Sequence, residues 1–256
     1  MHLSRLHVLR QEFMHCAAGY IRQAGDRPEH ILLKRNHSLR VHALARHIVM
    51  NEELPFPEIA VAAALVHDIG RFSQYAQYGT YRDDLSVDHG AEGARVLAET
   101  DVLRHFSLQE RHTIIQVTRL HNKRELPLEL DSHVRTLCHV VRDADKLDII
   151  PVVLRSMQPD RPRDAVVTLG LDDSPELWSP HVLETALAGQ SPAYTQLRYL
   201  NDFKILLATW GPGLIFASSR KLCVRRKSLE RIQALLPVVP PLTHLCTELS
   251  RRLLDA

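Results

Sequence analysis

The chain has 256 residues, 45% of them hydrophobic, and its 32 Lys and Arg nearly balance 30 Asp and Glu. That length fits one large core, and a formal charge of +2 is too small to make nucleic acid or a membrane surface the main partner. The longest aliphatic run, Ala60 to Val66, is far short of a membrane span, the N-terminus lacks the apolar stretch of a signal peptide, and four scattered cysteines form no CxxC pair, so a cytoplasmic protein without a disulfide framework is expected.

Apolar residues recur at helical spacing through most of the chain, which predicts an all-α fold. Helices are expected over 3–24, 29–51, 57–68, 88–99, 107–121, 130–157, 180–188, 193–210 and 227–254, with AVVTL at 165–169 as a short extended piece. Pro55 and Pro57 separate the second and third helices, and Gly70 follows the third. Ser86 or Asp88, and then Asp131 or Ser132, are candidate N-caps. Four prolines between 158 and 180 mark a surface loop, dividing a core of residues 1–157 from a C-terminal helical segment, 158–256, packed on it.

Side chains three and four apart share a helix face, so each of the 16 histidines can be placed by its company. His37 lines up with Val41, Leu44 and Ile48; His67 follows Ala60, Ala63 and Ala64, with Asp68 beside it at the helix end. His89 leads Gly93, Val96 and Leu97, and His121 trails Ile114, Val117 and Thr118. Asp145 stands between Val141 and Ile149 inside a long apolar helix, where a lone carboxylate is costly without a partner. With no comparable set of buried Lys or Arg in view, a divalent cation is the natural counter-charge. The other histidines show no such convergence.

The order of His37 in NHSLRVHALA, His67-Asp68 in ALVHDIGRF and Asp145 in VRDADKLD resembles the HD-domain superfamily, over roughly residues 30 to 150. The resemblance implies a helical bundle in which His37, His67, Asp68 and Asp145 ligate a metal. His89 in SVDHGAEGARVL and His121 in TRLHNK stand where two-metal members carry additional histidines, which implies two ions bridged by Asp68. The stretch after the doublet lacks the Glu-Asp pair of guanosine tetraphosphate hydrolases. His121-Asn122 likewise lacks the doubled histidine and GYP signature of cyclic di-GMP phosphodiesterases.

Imidazole and carboxylate donors suit one or two of Mn, Fe, Co, Ni, Zn or Mg, and the chemistry they support is phosphoester hydrolysis by activated water. Arg40, Arg71 and Lys123 are the candidate contacts to a small phosphorylated substrate such as a nucleotide, and Lys146, beside Asp145, is with Asp68 a catalytic candidate. The tyrosine-bearing segment Ser73 to Ser86 is expected to be a loop, its tyrosines serving either as a lid over the site or as a cluster packed on the helices. A di-iron oxygenase and a non-catalytic nucleotide-binding regulatory domain are the alternatives. A homodimer is compatible with the sequence, and the basic cluster at 220–231 is expected to be a solvated helix face.

Overall fold

In the computed structural model, which describes residues 4–25, 28–158 and 160–255, the periodicity resolves into twelve α-helices and no strand among the described residues. The protein is all-α. His2, Leu3 and Pro159 lie outside the described residues. The chain divides into two compact units, 1–148 and 149–256, and the division falls within a helix, before the expected boundary at 157.

The first unit holds α1 (Arg5–Gln23), α2 (Glu29–Asn51), α3 (Pro57–Val66), α4 (Gly70–Tyr78), α5 (His89–Glu99), α6 (Leu108–Leu120) and most of α7 (Ser132–Ser156). α3 is its hub. Every residue from Ile59 to Val66 is buried, and the small side chains let α1, α2 and α6 all pack against it. α4 packs on α5 and α5 on α6, through backbone contacts that only glycine permits. A Cβ on Gly70 would lie 2.4 Å from Gly93 N and 2.5 Å from His89 O, and one on Gly90 2.6 Å from Asn122 Oδ1. α5 is capped by Asp88, whose side chain accepts from Gly90 N and Ala91 N, and α6 by a Ser107/Glu110 capping box.

α4 corrects the expected loop at 73–86. Residues 70–78 are helical, with Phe72, Ser73 and Gln74 buried, and only the stretch after Gly79 (φ +64°) is irregular. That stretch is pinned. Arg71 donates to Tyr81 O and Asp83 Oδ1, Gln74 to Asp83, Ser86 and Val87 O, and the buried Tyr81 donates its hydroxyl to His30 O. It is a wall, not a lid.

The second unit holds the end of α7, then α8 (Pro180–Leu187), α9 (Leu200–Trp210), α10 (Ala217–Arg225), α11 (Ser228–Gln233) and α12 (Pro240–Asp255). α9 begins later than expected because Asp202 accepts from Arg198 N, Tyr199 N and Ser179, fixing the helix start there. The expected helix 227–254 is two helices parted by a proline-containing turn, and residues 165–169 form a turn, with Gly170 N bonded to Ala165 O and Leu169 at φ +59°. Cys138, Cys223 and Cys246 are buried, Cys16 is partly so, and all four are free thiols. None of the described helices is long and apolar enough to cross a membrane.

Candidate metal centre

Six residues from five elements of the first unit meet around Asp68. The doublet sits where α3 ends, with His67 as its C-cap; α2 brings His37, the first turn of α5 brings His89, the C-cap of α6 is His121, and α7 brings Asp145. His37, His67, Asp68, His89 and His121 are buried, and the Asp145 side chain is 21% exposed.

Each of the four rings is tethered through Nδ1. His67 Nδ1 bonds Ala64 O at 2.8 Å and His121 Nδ1 bonds Thr118 O at 2.7 Å, both using a last-turn carbonyl that the helix itself leaves unpaired. A carbonyl oxygen only accepts, so both Nδ1 atoms donate. His37 Nδ1 donates to Asp148 Oδ2 at 2.7 Å, and His89 Nδ1 to Asp83 Oδ2 at 2.6 Å. In the neutral ring this leaves every Nε2 with a bare lone pair, the arrangement that prepares histidine to bind a metal.

Those lone pairs converge in two groups. Around Asp68 Oδ2 stand His37 Nε2 at 3.5 Å and His67 Nε2 at 3.7 Å, with Asp145 Oδ1 3.0 and 3.7 Å from the same two nitrogens. Around Asp68 Oδ1 stand His89 Nε2 at 3.6 Å and His121 Nε2 at 3.7 Å, the two nitrogens 3.1 Å apart. His37 Nε2, His67 Nε2 and Asp145 Oδ1 are buried without a hydrogen-bond partner. Acceptors facing one another in a buried site repel unless a cation lies among them, so the donor set fits metal ions.

Burial pushes His67 down, and with the nearby Arg71 pushes His89 down to about 3, so both rings are neutral at pH 7. Burial alone would lower His37 too, but the Asp145 and Asp148 carboxylates outweigh it and raise its pKa. Burial opposes ionisation of Asp68 and Asp145, yet Lys34 beside the first and His37 beside the second hold both well below the ordinary carboxylate range.

Three participants escaped the sequence reading: Lys34, Asp83 and Asp148. The half-buried Lys34 donates through Nζ to Asp68 Oδ2 at 2.8 Å, one cation where the sequence shows no comparable set of buried Lys or Arg. Asp148 also accepts Arg40 at 2.7 Å, and Asp83 also accepts Arg71 at 2.8 Å. The spacing of Asp148, three residues after Asp145, and of Lys34, three before His37, was the available signal. Of the other named residues, Lys123 pairs with Asp88, the α5 cap, and Lys146 is half-buried beside Asp145 with its pKa lowered by burial.

The family model of the HD domain matches residues 35–150. Over that stretch the chain is similar to an HD domain. The matched segment runs from just before His37 to just after Asp148, and so contains all six converging residues as well as Asp83. No curated protein and no solved structure matches the chain.

Proposed function

We propose that the protein is a metal-dependent phosphohydrolase that releases phosphate from a small phosphorylated metabolite, such as a nucleotide, in the cytoplasm. The observation that carries this reading is the division of donors between the two oxygens of Asp68. His37, His67 and Asp145 would hold one ion with Oδ2, and His89 and His121 a second with Oδ1. Divalent ions there, whether Mn, Fe, Co, Ni, Zn or Mg, supply Lewis acidity toward a phosphoryl oxygen and lower the pKa of a bound water from about 15.7 toward about 7.

The protein's own groups orient and neutralise. Asp148 and Asp83 fix the rings of His37 and His89, and Asp68 spans the two donor groups. Arg71, with its Nε buried, without a hydrogen-bond partner and 3.6 Å from Asp68 Oδ1, is the member of the expected substrate set closest to the centre. Arg40 and Lys123 are engaged by Asp148 and Asp88 and act through those carboxylates. Lys146 keeps its candidate role in catalysis through its place beside Asp145.

The test is phosphate release from nucleotides and other phosphomonoesters with Mn, Co or Mg under anaerobic conditions. Turnover should persist without oxygen and vanish, with most of the bound metal, in Asp68→Ala. Oxygen uptake stoichiometric with product would replace the reading with a di-iron oxygenase. Nucleotide binding without turnover under every metal would replace it with a regulatory binding domain.

A further inference from the structure

Lys34 stands three residues before His37 on α2, so the two share a helix face. Its ammonium donates to Asp68 Oδ2 and lies 5.2 Å from the centre of the Tyr81 ring, with the side chain 16% exposed. Arg71 mirrors it, with Nε beside Asp68 Oδ1 and the guanidinium 5.6 Å from the centre of the same ring. Each oxygen of Asp68 therefore has one cation and two histidines beside it, and both cations meet at Tyr81.

The charges decide which cation is available to a substrate. Arg40 is matched by Asp148, Lys123 by Asp88 and Arg71 by Asp83. Lys34 has no carboxylate of its own: among the described residues it shares Asp68 with the four histidines and Arg71, and its ammonium lies over the Tyr81 ring. An imidazole that ligates a metal is neutral, so the fixed charges at the loaded centre are Asp68 and Asp145 against Lys34, one negative charge in excess. One divalent ion reverses this to one positive charge and two ions to three. An ammonium has three donors, and Asp68 takes one.

We propose that Lys34 binds the phosphate of the substrate, and that through it the centre selects phosphomonoester dianions over phosphodiester monoanions. The inference rests on the phosphohydrolase reading and names its substrate class. A net positive charge at the phosphate site favours the more highly charged ligand, and the ammonium adds a charge-assisted hydrogen bond that a doubly esterified phosphate can answer with only two free oxygens.

The metal-loaded protein is titrated calorimetrically with inorganic phosphate, above its second pKa, and with dimethyl phosphate, in wild type, Lys34→Met and Lys34→Arg; metal content is measured in each. Wild type should bind phosphate more tightly than dimethyl phosphate. Lys34→Met should weaken phosphate about tenfold or more and dimethyl phosphate less, and Lys34→Arg should restore most of the loss. Equal phosphate affinity in wild type and a metal-replete Lys34→Met overturns the proposal. Wild type that binds neither anion overturns the phosphohydrolase reading as well. Should Lys34→Met lose metal or fail to fold, acetylation of Lys34 in the wild type decides: saturating phosphate should protect it, and unchanged labelling overturns the proposal.

Discussion

Asp148 and Asp83 show how much of the centre depends on residues that would not themselves touch a metal. Each fixes the tautomer and orientation of one ring, and losing such a partner ordinarily costs about 10- to 100-fold in metal affinity. Asp148→Asn is expected to cause a loss of that size at the His37 group and Asp83→Asn at the His89 group, measured by competition with a chelator; full affinity in both would make the tethers dispensable. Titration should carry the same signature. His67 and His89 are depressed, so below about pH 6.5 the unfolded chain takes up protons that the folded one refuses, and stability falls. The depressed carboxylates Asp68, Asp145 and Asp148 contribute stability above about pH 4 that is lost as the pH falls through their folded values. His37, raised, contributes fully below about pH 6.5 and less as the pH climbs through its folded value, so it opposes the other two histidines. The urea midpoint of chelator-treated protein should therefore decline from about pH 6.5 downward; a flat profile to pH 4 would contradict these environments.

Among the elements, α5 is held by glycine. Gly70→Ala has nowhere to put its methyl group except into the backbone of Gly93 and His89, so α4 and α5 must separate. We expect a cost of about 1–3 kcal/mol in unfolding free energy, and weaker metal binding at the His89/His121 group than at the His37 group. Wild-type metal content and stability in this variant would show that the contact is slack. The same elements explain what could be read from the sequence. His37, His67, His89, His121 and Asp145 each extend an apolar stripe, and a polar residue on such a stripe announces itself. Lys34 does not, because a lysine near a helix start reads as a solvated side chain and only the fold turns it onto Asp68. Asp83 lies in a short 3-10 turn with no period to interpret. α4 is hidden by Gly70 and by Ser73 and Gln74, polar residues that are buried because Ser73 donates to Glu92 on α5 and Gln74 to Asp83, Ser86 and Val87 O.

Over the whole molecule, metal is expected to act as part of the fold. A ligand that binds only the folded state at about 1,000 times its Kd adds about 4 kcal/mol, which for a chain of this size moves Tm by roughly 10 °C. Chelation should lower Tm by that order in calorimetry, and Asp68→Ala should be insensitive to chelator; an unchanged wild-type Tm would separate metal from stability. The two kinds of ring tether also differ in what inheritance can do to them. His67 and His121 lean on oxygens of the main chain, which every codon at Ala64 and Thr118 supplies, whereas His37 and His89 lean on carboxylates that one nucleotide change can delete. A saturation library screened for metal retention should tolerate small apolar exchanges at Ala64 while rejecting nearly all at Asp148 and Asp83, so the centre's mutational fragility is concentrated in half of its supports.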